Sequence, residues 1–272
     1  MDIRLLVTDM DGTLLNDRKE IDPSFWPMHQ RLKEREILFA VASGRQVFSL
    51  EKSFADIREH TLFIGDNGTY VRYRGEDVFV NPMPTDDFEE ILMLARKIED
   101  AEVVLCCKNA AYIECKRPDF YAAVQEYFHK LEVVDDLAQV QDEVLKFAIY
   151  DYKNAENNSY VALGDFHARY KVTVSGPEWV DVTARSANKG HALEKVMQKM
   201  NLQAENVMAF GDFMNDLEMM KVAGHSFAMK NAHPGILEAA CYVTEKDNNH
   251  NGVVDTVERL LLQPQAATFS RE

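Results

Sequence analysis

Cysteine is scarce in this chain: 272 residues carry only Cys106, Cys107, Cys115 and Cys241. These four show neither a disulfide framework nor the paired C-x-x-C spacing of a zinc site, so a reducing, cytoplasmic setting is expected. No apolar run approaches membrane-spanning length, and no basic flank leads into a long apolar stretch, which argues against a membrane partner. Positive charge is also in short supply. Thirty Lys and Arg face 45 Asp and Glu, a formal charge of −15, and that field repels polyanions, so no nucleic-acid partner is expected. A small phosphorylated molecule is repelled too unless a metal, a lysine or helix N-termini act locally. The eight histidines include no His-x-x-x-His and no clustering with carboxylates, and His191 and His225 read as ordinary residues. There is no internal repeat and no low-complexity tract.

What is present is the balance of a globular protein, 46% hydrophobic and 28% charged, in a chain long enough for one large domain or a core carrying a smaller one. Apolar β-branched runs alternate with helical patterns at the start: "IRLLVT", a helix around "FWPMHQRLKERE", "ILFAVAS", then a segment around "VFSLEKSFADI". Such βαβα order predicts a parallel sheet, whose strands, covered on both faces, read as continuous apolar runs. From Thr61 the pattern shifts to antiparallel hairpins around an Asn-Gly and an Arg-Gly-Glu-Asp turn. A helix over "DDFEEILMLARKI" follows, with Thr85 as its expected N-cap. Then come strands "EVVLCC", "AYIECK", "VLKFAIYD", "KVTVSG" and "WVDVT", with helices near "FYAAVQEYFHKL" and "SYVALGDFHARY". Near Asn188 the βα alternation returns. The expected division is a core of residues 1–83 and 185–272 with an inserted α/β module at 84–184. The closing "PQAATFSRE" has nothing to bury and is expected to fray.

The chemistry-bearing residues fall at the ends of the parallel strands. "LLVTDMDGT" ends an apolar run in Asp9 and Asp11, and side chains two apart on a strand point the same way, so the two carboxylates are expected to converge where open α/β sheets bind ligands. Their repulsion is tolerable around a divalent cation, and Mg²⁺ suits such oxygens. "NVMAFGDFMND" ends a second strand in Asp212, with Asn215 and Asp216 opening a helix. "VASGRQ" places Ser43 and Gly44 before another helix, a cradle for phosphate oxygens. Lys189 opens the helix that re-enters the core. Each signal has an ordinary reading: Asp-Gly and Ser-Gly as turns, Asn215 as a cap, Lys189 as a solvated lysine. Their joint placement at the ends of one sheet's elements is what favours a site.

"DMDGT", "SGR", Lys189 and "GDFMND" resemble, in order and placement, the four motifs of the haloacid dehalogenase (HAD) superfamily of phosphohydrolases. The short stretch from Asp11 to Ser43 leaves no room for a cap, whereas Ser43 to Lys189 encloses the inserted module, as in the type with a large α/β cap, C2. "AGHSFAMKNAHP" and "NNHNGVVDTVERLL" are similar to the Cof-type hydrolases. The approach to the lysine, "VTARSANKG", differs from the family's usual one. The resemblance implies a Rossmann-like α/β core, a parallel sheet flanked by helices, plus the inserted cap.

It also implies roles. Asp9 is the expected nucleophile that takes the phosphoryl group as an aspartyl-phosphate, and Asp11 the general acid and base. Mg²⁺ is expected on the Asp9 carboxylate, the Asp11 backbone carbonyl and the Asp212 carboxylate. Ser43, Lys189 and backbone N–H groups near Met10, Gly12 and Gly44 are expected to meet the phosphoryl oxygens. Asn215 and Asp216 are expected to orient the metal's waters and Lys189. Arg45 reads equally well as a substrate contact or a surface ion-pair partner, and Asn67 and Gly68 as a hairpin turn or as neighbours of the site. The implied activity is Mg²⁺-dependent hydrolysis of a small phosphorylated metabolite, a sugar phosphate first. Alternatives are a phosphomutase using the same intermediate and, as a non-enzyme, a phosphate-accepting receiver domain. Asp11 and the cap disfavour the last. Oligomeric state is not legible.

Overall fold

The computed structural model describes residues 2–263, so the "PQAATFSRE" tail lies outside the described residues. In chain order the strands and α-helices are β1 (Leu5–Asp9), α1 (Phe25–Glu34), β2 (Leu38–Ala42), α2 (Val47–Ser53), β3 (Thr61–Gly65), β4 (Tyr70–Tyr73), β5 (Glu76–Val80) and α3 (Phe88–Ala95). They continue with β6 (Ala101–Cys107), β7 (Ala111–Ile113), α4 (Pro118–Tyr127), β8 (Leu131–Val133), β9 (Val144–Asp151), α5 (Ser159–Ala162), β10 (Lys171–Gly176) and β11 (Trp179–Thr183). The chain closes with α6 (Lys189–Met200), β12 (Val207–Gly211), α7 (Leu217–Val222), β13 (His225–Ala228), α8 (Pro234–Ala239), β14 (Tyr242–Val243) and α9 (Gly252–Val257). By contacts the chain divides into two compact units, one of residues 1–42, 60–62 and 197–272, the other of 43–59 and 63–196.

In the first unit five strands run parallel in the order β14-β13-β12-β1-β2. Every residue of β1 and β12 is buried, as expected for strands covered on both faces. The chain leaves β1 for β2 on one side and returns as β12 on the other, so the carboxyl end of β1 is a topological switch point, where open α/β sheets bind ligands. Helix α1 buries Phe25, Met28, His29 and Leu32, the i, i+3, i+4, i+7 stripe of an amphipathic helix. His29 sits edge-on to Phe39 of β2, with ring centroids 5.5 Å apart.

The second unit holds the β4–β5 hairpin, turned at Arg74 and Gly75 with φ of 53° and 76°, and a six-stranded sheet ordered β10-β11-β9-β6-β7-β8. Every pairing in that sheet is antiparallel except β7 with β8. One face is packed by Val103, Leu105, Phe147, Ile149, Val180 and Val182 against α3 and the α5 region. The other face packs Val104, Cys106 and Ala148 against Phe120 and Val124 of α4. This is the period-2 alternation of a sheet covered on both sides.

Four local expectations are corrected. β1 ends at Asp9, and Asp11 lies beyond it in an isolated bridge to Leu15, so the two-apart rule for strands does not apply to that pair. Thr85 is not the cap of α3; Asp87 holds that position without a side-chain cap bond, and Thr85 instead offers its carbonyl to Phe88 N–H at 3.2 Å. The Asn-Gly is no two-residue hairpin turn. Asp66, Asn67 and Gly68 are all left-handed, with φ of 49°, 53° and 94°, in a short turn between β3 and β4. The helix expected over "SYVALGDFHARY" is one turn of α-helix, Ser159–Ala162, followed by a separate 3₁₀ turn from Gly164. The three-residue strand β8 was not foreseen.

Candidate active site

The first unit gathers carboxylates at the carboxyl ends of β1 and β12, which the register Thr8–Phe210 holds level. Asp9, Asp212 and Asp216 each offer an oxygen, and these oxygens lie within 4.8 Å of one another. Asp9 is 5% exposed and Asp216 fully buried. Three carboxylates so close repel strongly in a medium of low dielectric, and the surrounding donors offset part of that cost. Asp216 Oδ2 accepts from the backbone N–H of Asp212 at 3.0 Å and of Phe213 at 3.3 Å. Asp212 Oδ1 accepts from the Thr13 hydroxyl at 2.9 Å. A set of three carboxylates and no nitrogen or sulfur fits a hard divalent cation.

Asp11 does not bring its carboxylate into that trio. Its Oδ1 accepts from Lys19 Nζ at 2.9 Å, in an exposed pair that counts for little in stability. The loop between Met10 and Asp17 is held from the far end of the chain. Asn231 donates to the Gly12 carbonyl at 2.8 Å, Asn248 donates to the Leu15 carbonyl at 3.1 Å and to Asp17 at 3.0 Å, and Asn249 donates to Asp17 at 2.9 Å. Gly12 has φ +80°, and a Cβ there would meet Asp212 Oδ2 at 2.4 Å. The family resemblance implies that this glycine is an N–H donor; its lack of a side chain also lets Asp212 approach.

The second unit gathers a different set. Ser43 is buried, and its carbonyl accepts from Asn67 N–H at 3.0 Å while its hydroxyl accepts from Arg45 N–H at 3.2 Å. Gly44 faces the Asn67 amide, which a Cβ would meet at 3.2 Å. Gly68 packs so closely on the start of α6 that a Cβ would lie 2.2 Å from the Asn188 carbonyl oxygen and 3.0 Å from the Lys189 nitrogen. Lys189 is fully buried. Ser43, Gly44, Asn67, Gly68 and Lys189 thus belong to one local arrangement, which gives the left-handed Asp66–Gly68 turn a packing role that the sequence alone did not reveal. Arg45 is half-buried, Met10 buried and Asn215 exposed. Missed from the sequence were Thr13, which holds Asp212, and Asp216 as a member of the carboxylate trio rather than its support. Thr13 could have been found as the hydroxyl that follows Asp-Gly.

A model of the haloacid dehalogenase-like hydrolases matches residues 6–257. The chain belongs to that family. It is 33% identical, over 96% of its length and 97% of the relative's, to the 5-amino-6-(5-phospho-D-ribitylamino)uracil phosphatase of Escherichia coli. It is 26% identical to a Bacillus subtilis phosphatase of the same name, over 96% and 97% of the two chains. A crystal structure from Eubacterium rectale, 30% identical, superimposes with a TM-score of 0.86 over 95% of this chain and 99% of the other. As a haloacid dehalogenase-like hydrolase, the chain has an α/β core with a parallel sheet and a cap domain. Among the described residues no helix is long and apolar enough to cross a membrane, and the four cysteines are free thiols.

Proposed function

We propose that this hydrolase is a Mg²⁺-dependent phosphatase for small metabolites bearing a phosphate ester on a polyhydroxylated chain, of the Cof type with a C2 cap at residues 84–184, working in the cytoplasm. The observation that carries the reading is the oxygen-only trio of Asp9, Asp212 and Asp216, within 4.8 Å at the switch point of a parallel sheet. The relatives named for a ribityl phosphate support the substrate class, which includes sugar phosphates.

In this reading the Asp9 carboxylate attacks phosphorus, the ester C–O–P bond breaks at phosphorus, and the alkoxide leaves with a proton from Asp11. Asp11 then takes a proton from water, which attacks the aspartyl-phosphate and releases inorganic phosphate. Thr13 and the N–H groups of Asp212 and Phe213 keep the neighbouring carboxylates aimed. Mg²⁺ held by the trio would supply positive charge that lets an anionic nucleophile and an anionic substrate meet. The oxygens of the transferred group are assigned, on the family's pattern, to Ser43, Gly44, Lys189 and the N–H groups of Met10 and Gly12.

The test is phosphate release from an aryl phosphate and a panel of sugar and polyol phosphates with Mg²⁺. Asp9→Asn is expected to lower turnover at least ~1,000-fold while circular dichroism stays that of wild type. Retention of wild-type turnover would remove Asp9 as nucleophile. Free phosphate, rather than a phosphate isomer of the substrate, separates this activity from a mutase.

A further inference from the structure

Within the second unit, the six-stranded sheet and the turn after β3 bury a further group of charges. Lys146 on β9 and Asp181 on β11 are 6% and 8% exposed, and Lys146 Nζ donates to Asp181 Oδ2 at 3.3 Å. Asp66, at the start of the left-handed turn and 3% exposed, lies with Oδ1 3.8 Å from the same ammonium. That separation is too long for a hydrogen bond, and Asp66 Oδ1 accepts none among the described residues. Leaving a buried carboxylate oxygen unsatisfied costs more than an exposed ion pair returns. Nothing in the strand pattern requires it either, since Cys106 and Ala148 on the same face are packed apolar residues.

The unused capacity is of a definite kind. The ammonium has three N–H donors, one of them directed at Asp181, and Asp66 Oδ1 is an acceptor. An oxygen about 2.8 Å from each closes a triangle with the 3.8 Å side. A hydroxyl, like a water molecule, accepts from the one and donates to the other. Asp66 directly precedes Asn67 and Gly68, whose turn packs on Asn188 and Lys189, so such a hydroxyl would sit beside the loop assigned to the phosphate.

We propose that Lys146 and Asp66, with Asp181 holding the ammonium in place, bind a hydroxyl of the substrate's organic part and so select polyhydroxylated phosphate esters. The assignment rests on the phosphatase reading above. Its test compares kcat/KM for a sugar phosphate, for the matching deoxysugar phosphate and for an aryl phosphate, in wild type, Lys146→Met and Asp66→Asn. In each variant the preference for the hydroxylated ester over its deoxy analogue is expected to fall about tenfold or more. Asp66→Asn preserves size and leaves the Lys146–Asp181 pair intact, so it reports even if Lys146→Met folds poorly. An unchanged hydroxyl preference in Asp66→Asn, or equal losses on all three esters, overturns the assignment and leaves a structural ion pair. Failure of the wild-type enzyme to release phosphate from any ester overturns the phosphatase reading instead.

Discussion

At the scale of single residues, the carboxylate trio depends on what lies around it as much as on the carboxylates themselves. Gly12 answers two demands at once: a left-handed backbone, at φ +80°, and empty space where a Cβ would meet Asp212 Oδ2 at 2.4 Å. Alanine at φ > 0 costs on the order of 1–2 kcal/mol by itself, which a folded chain can absorb. Displacement of Asp212 is the larger consequence, because it pulls one oxygen out of a set that must converge. Gly12→Ala is therefore expected to raise the Mg²⁺ concentration for half-maximal activity about tenfold or more while lowering stability only modestly. Magnesium titration of phosphate release, beside urea unfolding, checks both halves. An unchanged magnesium requirement would mean that Asp212 does not depend on this approach.

At the scale of elements, two left-handed glycines separate backbone strain from packing. Gly75, in the β4–β5 turn, has φ +76° and open space, with no atom within 4 Å of where a Cβ would stand, whereas Gly68 has φ +94° and faces the Asn188 carbonyl at 2.2 Å. Gly75→Ala should cost only the strain, about 1 kcal/mol. Gly68→Ala adds an overlap with backbone that cannot rotate away, and should cost roughly 2–3 kcal/mol and raise KM by displacing the start of α6. Chemical denaturation of both variants, with steady-state kinetics, measures the difference. The same elements show what the sequence made legible. β1, β2 and β12 were readable because parallel strands covered on both faces are unbroken apolar runs, and α1 because its buried residues recur at helical spacing. β8 was not, since Leu131–Val133 is a three-residue segment, half-buried only at Leu131 and exposed at Glu132 and Val133, whose partner β7 defines it. Asp9 and Asp212 stood out at strand ends. The triad of Asp66, Lys146 and Asp181 did not, because its members lie 80 and 35 residues apart: the pairing of β9 with β11 brings Lys146 to Asp181, and the turn after β3 adds Asp66. The one local trace was a charge inside each of the apolar runs "VLKFAIYD" and "WVDVT".

At the scale of the whole molecule, two buried titrating groups pull stability in opposite directions as pH falls. Burial, aided by His60, holds the His29 imidazole down at about 4, from 6.5. The unfolded chain therefore binds the extra proton first, and His29 costs stability as pH falls from 6.5 towards 4, by at most about 3 kcal/mol. Burial pushes the Asp66 carboxyl up to about 6, from 3.8, against the pull of Lys146 and with the help of Asp181. Here the folded chain binds the proton first, so Asp66 penalises the fold above pH 6 and that penalty is relieved as pH falls towards 4, by a similar amount at most. The two groups belong to different compact units, but the chain crosses between those units four times, and one cooperative transition is the expected result. Both slopes then act on a single free energy and largely offset each other. Asp66→Asn should unmask the histidine: stability relative to wild type rises at pH 7 and the advantage shrinks towards pH 4. His29→Leu should do the reverse, with its difference from wild type most favourable at pH 4 and shifting against it towards pH 7. Urea unfolding at half-unit steps from pH 4 to 7 reads both. Two resolved transitions, each answering to only one substitution, would show that the units unfold separately and that the offset never operates.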